Sequence, residues 1–243
     1  MIRKILPGFL LVVLCGLAFY SCKKVNSSTA DPTRNYFPLH FGKYVTYDVD
    51  SLYYFGPDGT RVETRCELKY SVTDTTTVNK KLNYIIDVYY RPYNGALWVP
   101  SRVITVQATS DSLLYSQDGT QYIKLVFPVT EGRTWQGNAY AQIMDTTKAY
   151  LAGWDYTYQS YHLPYFNGFV NFDNTVTVLE DDENVNFQNI DSIPPGSKIY
   201  AKEVYAYNVG MIYKEWTYYT WGLPDTTQNR NGYSVIMRAI DYN

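Results

Sequence analysis

The sequence predicts an all-β domain built on a curved antiparallel sheet, and three observations support that class. The chain has 27 tyrosines and five tryptophans, and 17% of its residues are aromatic. Aromatic and β-branched side chains pack well on a pleated sheet. Apolar and polar residues alternate along many short segments, and Gly, Pro, Asn or Asp separate these segments. Helical periodicity is nearly absent, so we expect about ten strands in a half-barrel or a sandwich.

The first 22 residues differ from the remainder and indicate where the protein works. Arg3 and Lys4 precede an almost unbroken apolar run over residues 5–20. A helix that crosses a bilayer needs roughly 20 residues, so this shorter run is typical of a signal peptide, which we place at residues 1–21. Lys23 and Lys24 favour the alternative, an uncleaved N-terminal anchor.

The end of this segment, Phe19-Tyr20-Ser21-Cys22, resembles a bacterial lipoprotein signal. The resemblance implies cleavage before Cys22 and lipid on Cys22, which would make the membrane a partner. Two or more acyl chains hold a protein stably on a membrane, whereas one binds only marginally. Residues 22–35 are polar and aperiodic, so we expect a lipidated tether there and a single β domain over residues 36–243.

Charge and cysteine content limit the expected chemistry. The chain has 21 basic and 23 acidic side chains, so we expect no nucleic acid as a partner. Cys15 would leave with the signal peptide and Cys22 would carry lipid, which leaves Cys66 without a disulfide partner. Charged residues alternate with apolar ones around Cys66. We therefore expect its sulfur on the inward face of a strand, as an inert core residue.

Turn sequences divide the first half of the domain into strands. We expect strands over residues 44–54, around Cys66, and over 82–90, 98–109, 113–116 and 120–127. The turn sequence Gly56-Pro57-Asp58-Gly59 makes the first two a hairpin. Asp118-Gly119 marks the clearest hairpin, because this dipeptide favours the positive φ angles of a type I′ turn. Residues 74–81 are polar and predict a loop.

The second half of the domain is more aromatic. We expect strands over residues 154–172, with a turn at Asn167-Gly168, and over 175–179, 198–207, 209–221 and 233–242. Residues 145–153 have the cap and stop signals of a short helix. Residues 180–184 are acidic and predict an exposed loop. Solvated charge is favoured there over a calcium site with Asp173 and Asn174, because the spacing of a calcium loop is missing.

One pattern occurs twice in the chain. Phe127-Pro128-Val129-Thr130-Glu131-Gly132-Arg133 has the same order of Phe-Pro, aliphatic, Gly and basic residues as Phe37-Pro38-Leu39-His40-Phe41-Gly42-Lys43, at an offset of 90 residues. The two copies predict equivalent entries into the sheet, although such short patterns also recur by chance.

These segments also carry a family resemblance. Tyr36-Phe37-Pro38-Leu39 with Gly42, Phe127-Pro128 with Gly132 and Trp135, and residues 204–216 resemble lipoproteins of Bacteroidota. Some of those proteins resemble the half-barrel of lipoprotein carriers, in which an antiparallel sheet wraps a hydrophobic cavity. The resemblance implies an outer-membrane lipoprotein, and Lys23-Lys24-Val25 after the cysteine favours one that faces the periplasm.

The sequence contains no recognisable catalytic or metal motif. His40 and His162 lie far apart, and neither belongs to a metal-spaced motif, so we predict no metal, no cofactor and no catalytic residue. We expect a non-enzymatic binding or assembly module for an apolar ligand, a glycan or an envelope protein. An envelope glycan hydrolase and a structural subunit of an outer-membrane complex are the alternatives.

Aromatic residues are the candidate ligand-binding residues. Such side chains can stack on sugars or line an apolar cavity. The alternative is ordinary cross-strand packing, which stabilises a sheet without any ligand. The candidates are Trp135, Trp154, Tyr158, Trp216 and Trp221.

Overall fold

The computed structural model describes residues 31–56, 58–141, 150–185, 196–222 and 229–243. Within them a short 3-10 helix, Pro32–Tyr36, precedes twelve strands. The strands are β1 (Tyr44–Phe55), β2 (Thr60–Val78), β3 (Lys81–Pro92), β4 (Val99–Ala108), β5 (Ser112–Gln117), β6 (Thr120–Val126), β7 (Thr134–Gln136), β8 (Asp155–Phe166), β9 (Asn171–Val185), β10 (Gly196–Ala206), β11 (Gly210–Trp221) and β12 (Arg230–Tyr242). None of the described residues forms a helix long and apolar enough to cross a membrane.

All twelve strands belong to one antiparallel sheet, and the predicted all-β, curved-sheet class is confirmed. Strands β1 to β6 follow one another in the sheet, as do β7 to β12, and β1 pairs with β12 to join the two halves. The free edges of β6 and β7 lie close to each other. A hydrogen bond joins them, from the Ile123 amide on β6 to the carbonyl of Gly137, the residue directly after β7, at 2.8 Å. The sheet is therefore nearly closed into a barrel, rather than a sandwich of two sheets.

Two aromatic side chains complete the closure. The Tyr158 hydroxyl donates to the Val126 carbonyl and accepts from the Val126 amide, both at 2.9 Å. The Trp135 indole donates to the Ile123 carbonyl at 2.7 Å. These bonds satisfy backbone groups of β6 that would otherwise face an unpaired edge.

The main core lies inside the curved sheet and draws on nearly every strand. Its fully buried members include Ile104, Leu125, Val176 and Tyr205. The helix Pro32–Tyr36 also belongs to this domain: Tyr36 is fully buried in that core, and the Arg34 guanidinium donates to the Thr109 carbonyl at 2.6 Å. These contacts hold the helix Pro32–Tyr36 against the sheet.

Two predicted loops are strands. Residues 74–78 continue β2, which pairs with β3 up to Val78 and Lys81, and the turn is only Asn79-Lys80, with φ angles of 51° and 64°. Residues 180–184 lie within β9, and Glu180 is 1% exposed rather than part of an acidic loop. Pairing with a neighbouring strand supplies the backbone hydrogen bonds that let polar sequence remain extended.

The expected hairpins are otherwise confirmed. Asp118 and Gly119 have φ angles of 49° and 75°, as a type I′ turn requires. Strands β10 and β11 meet at Asn208, which has a φ of 61°. Strand β7 has three residues and was not predicted. Most of the predicted helix over residues 145–153 lies outside the described residues, as does the predicted signal and most of the tether.

The repeated sequence pattern makes the same backbone turn twice. The Gly42 amide donates to the Val72 carbonyl and the Gly132 amide to the Tyr158 carbonyl, each at 2.9 Å. The two glycines have φ angles of 82° and 73°. The first turn leads into β1 and the second into β7. Each half of the sheet, β1 to β6 and β7 to β12, therefore begins with the same glycine turn.

Candidate functional site

The interior of the nearly closed sheet contains a cavity of about 440 Å³. This volume lies within the range of sites that bind small molecules. Aliphatic and aromatic side chains form most of its wall. They include Val45, Tyr47, Val49, Leu68, Tyr70, Val72, Ile86, Tyr115, Met211, Val235 and Met237.

The residues of the cavity wall differ in exposure. Lys43 and Val45 are buried, at the segment before β1 and the start of that strand. Tyr53, Tyr90 and Arg102 also line the cavity and are exposed to solvent. The cavity is therefore bounded in part by residues that solvent reaches.

Four charged side chains meet in the middle of the barrel. The Lys124 ammonium on β6 donates to Glu180 Oε1 at 2.5 Å and to Glu203 Oε1 at 2.8 Å. The Lys214 ammonium on β11 donates to the same Glu203 oxygen at 2.7 Å. Lys124, Glu203 and Lys214 line the cavity, whereas Glu180 lies behind them. Burying these charges is tolerable because they are paired.

Glu203 is the centre of this network. Its second oxygen, Oε2, accepts from the Tyr205 hydroxyl at 2.5 Å, so both carboxylate oxygens have partners. Burial alone would raise its pKa, but the ammonium groups of Lys124 and Lys214 act in the opposite direction and hold the pKa well below its ordinary value. Glu203 is therefore ionised throughout the neutral range.

Glu180 has the opposite environment. Burial and the nearby Glu203 carboxylate raise its pKa, and Lys124 only partly opposes them. Its Oε2 atom is buried without a hydrogen-bond partner among the described residues. An unpaired buried carboxylate oxygen is costly, which favours the protonated form of Glu180.

Cys66 faces the cavity from β2, so its predicted inward orientation is confirmed. Burial raises the pKa of its thiol, and the carboxylates of Asp48 and Glu67 raise it further. A reactive cysteine needs a lowered pKa. The environment of Cys66 therefore matches the predicted inert role.

The structure brings the predicted aromatic residues together in pairs, but none of the five lines the cavity. The ring centroids of Trp135 and Tyr158 are 4.5 Å apart, and those of Trp154 and Trp216 are 5.1 Å apart. Trp221 lies apart, with its ring 5.7 Å from that of Tyr219. Each of the five has the packing contacts expected of a sheet interior.

The charged residues of the cavity were not singled out from the sequence. Within the strand predicted over 120–127, Lys124 is the one charged residue and sits among apolar neighbours. That isolation was the available signal, because a lone charge in an apolar strand is seldom left without a partner. For Glu203 and Lys214 the sequence holds no such signal, since each has a charged residue directly beside it, Lys202 and Glu215 respectively.

Metal chemistry finds no support in the part of the chain that the structure describes. No three His, Cys, Asp or Glu side chains gather there as a metal would require. His40 is exposed, and the His162 ring packs on Tyr161 with centroids 3.9 Å apart.

Comparisons with known proteins give fold-level likenesses only. No protein family and no curated protein matches the sequence. A Bacteroides fragilis protein assigned as exported, with a YmcC-like fold, covers 84% of this chain and 98% of its own, at 12% identity and a TM-score of 0.40. A Parabacteroides distasonis protein assigned as a lipoprotein has the same identity and coverages, at a TM-score of 0.28. At these TM-scores neither likeness carries an argument about this chain.

Proposed function

We propose that this protein is a non-enzymatic binding protein of the cell envelope that holds an apolar ligand inside its barrel. The observation that carries the proposal is the cavity of about 440 Å³ with a mostly aliphatic and aromatic wall. Binding sites for small molecules are concave, mostly apolar and furnished with a few polar groups. The interior of this sheet has all three properties.

The location rests on the N-terminal sequence. A short apolar run followed by Ser21-Cys22 favours cleavage before Cys22 and lipid on that residue. Lipid on Cys22 would hold the domain at a membrane, and Lys23-Lys24 favours the periplasmic face of the outer membrane. The intact mass of the protein purified from its envelope tests this. A diacylated or triacylated chain starting at Cys22 supports it, and an unmodified chain starting at Met1 would contradict it.

Filling the cavity tests ligand binding. Val235 lines the cavity, whereas its neighbour Ile236 lies on a shallow outer groove of the same strand, and both are half-buried. Side chains next to each other on a strand point to opposite faces. We expect Val235→Trp to lower the affinity for a neutral fluorescent probe, N-phenyl-1-naphthylamine, by about tenfold or more, which is at least roughly 1.4 kcal/mol. Ile236→Trp is the matched control and should bind the probe as the wild type does.

Native mass spectrometry gives the second measurement. The sample is the predicted mature chain, residues 22–243, with Cys22→Ser to prevent lipidation, and it keeps every residue that the structure describes. A retained apolar molecule in this protein supports the proposal. Protein that is repeatedly without a bound molecule and does not bind the probe would contradict the proposed ligand binding and favour an assembly role instead.

A further inference from the structure

Most of the charged side chains that line the cavity are basic. Four basic side chains line it, namely Lys43, Arg102, Lys124 and Lys214, and Glu203 is the one carboxylate among the described lining residues. Arg102 is exposed and lies 3.6 Å from the exposed Asp118. Basic residues therefore outnumber carboxylates on the wall itself, because Glu180, the second partner of Lys124, does not line the cavity.

The inner ammonium groups also keep hydrogen-bonding capacity. An ammonium has three N–H donors. Lys214 uses one of them, on Glu203, within the described part of the chain. Lys124 uses two, on Glu180 and Glu203. Each ammonium group therefore has at least one N–H donor that no described residue accepts.

Burial makes this arrangement selective for charge. The Lys214 side chain is 23% exposed and the Lys124 side chain is 7% exposed. Charges interact more strongly in such surroundings than in water, because less solvent screens them. An anion reaching this wall would gain charge-assisted hydrogen bonds, whereas a cation would be repelled.

We propose that the ligand is a single-chain amphiphile whose anionic end group binds beside Lys214 and Lys124 while its apolar chain lies along the aliphatic and aromatic wall. This inference rests on the proposed function, since it names the class of ligand that the cavity takes. Carboxylate and phosphate end groups share the required chemistry.

A competition series tests the proposal on the mature Cys22→Ser chain. Dodecanoic acid, dodecyl phosphate, dodecanol and dodecylamine have the same chain and differ in their end group. Each is titrated against bound N-phenyl-1-naphthylamine at pH 7. We expect one or both of the anions to compete about tenfold better than the alcohol, and the amine to compete worst, because charge-assisted bonds are roughly twice as strong as neutral ones. The two anionic arms show whether carboxylate or phosphate is preferred.

Lys214 can be tested against a matched lysine. Lys202 lies on the paired strand β10, has a side chain 21% exposed, and does not line the cavity. Lys214→Met should lower the affinity for the preferred anion about tenfold and leave that for dodecanol unchanged, whereas Lys202→Met should change neither. Lys214→Arg should retain the preference for anions, because it retains the charge.

The outcomes separate this inference from the proposed function. If the alcohol or the amine competes as well as both anions, the anionic end group is wrong while apolar binding stands. The assignment of an anionic end group is also contradicted if Lys214→Met folds and keeps its preference for anions. If neither the probe nor any competitor binds, the proposed function fails and the inference fails with it.

Discussion

Two neighbouring ion pairs between β10 and β11 have different surroundings because they lie on opposite faces of the sheet. Lys202 is paired in register with Glu215, and the next pair, Glu203 with Lys214, has the same two residue types in the reverse order. The Lys202 and Glu215 side-chain charges are 3.7 Å apart, with 21% and 27% of the side chains exposed. In the second pair the distance is 2.7 Å and Glu203 is only 3% exposed.

The surroundings of the two pairs differ more than their distances. Glu203 also binds Lys124 and the Tyr205 hydroxyl, so removing its charge would affect three partners at once. Glu215 has the Tyr213 hydroxyl as a second partner at 3.0 Å. Identical residue types, one position apart, therefore form a network around a buried carboxylate on one face and a partly exposed ion pair on the other.

The largest expected effect comes from removing the inner carboxylate. Glu203→Gln leaves the buried Lys124 ammonium and the partly exposed Lys214 ammonium without their shared anion, so we expect a loss of about 3–5 kcal/mol in the free energy of unfolding. Glu215→Gln is the matched control and should cost about 1 kcal/mol or less. Urea denaturation of both variants gives the comparison. Equal losses in the two variants would show that the two faces do not differ.

A smaller effect, with a defined pH dependence, is expected from Glu180. Its pKa is raised by burial, so any stability from its neutral form is present below its ordinary value of 4.5 and is lost as the pH rises through the folded-state pKa. Glu180→Gln removes this titration. The stability of the variant relative to the wild type should therefore increase as the pH rises from 4 to 8, in urea denaturation at each pH.

Glu203 provides the opposite sign when the same pH series is extended below 4.5. Its pKa is lowered because the two lysines outweigh burial, so its stabilising contribution is present above 4.5 and is lost as the pH falls. The stability difference between the wild type and Glu203→Gln should therefore shrink towards low pH. A parallel dependence for the Glu180 and Glu203 variants would contradict the assigned protonation states.

The smallest effect is expected on the outer face. Lys202→Met breaks an ion pair with partial exposure, so its cost should lie within about 1 kcal/mol. Added salt should reduce the pair's contribution, because mobile ions screen exposed charges more than buried ones. Thermal unfolding at low and high salt measures this. A Lys202→Met loss as large as that of Glu203→Gln would remove the distinction between the faces.

Local chemistry explains which parts of the fold the sequence could predict. Asp118-Gly119 and Asn208 determine their own turns, so their hairpins were found correctly. The strand over residues 74–78 was missed because its extended state depends on pairing with β3, which polar sequence does not reveal. The sequence around Glu180 predicts a loop because the residues beside it are acidic. The partner that allows Glu180 to be buried, Lys124, lies 56 residues away and is not recognisable from local sequence.

The site was harder to predict, for a related reason. A β-bulge shifts the pairing between β9 and β10 at Ala201/Lys202, and another shifts that between β10 and β11 at Val204/Tyr205. A bulge inserts an extra residue, so the alternation no longer shows which side chains face inward. The sequence identifies aromatic residues as candidates in general. Only the nearly closed sheet shows that the five candidate aromatic residues do not line the cavity and that other residues do.

The pairing of β1 with β12 has a consequence for how the chain folds. Every other neighbouring pair joins strands that follow each other in sequence, whereas Thr46 meets Asp241 from the far end of the domain. Hairpins form in microseconds, so each six-strand half can assemble from local contacts. Closing a long loop adds only slowly to the entropy cost, but non-local contacts slow folding markedly. We therefore expect the docking of β12 on β1 to be a slow step of folding, and until it occurs β1 presents an open edge to other chains.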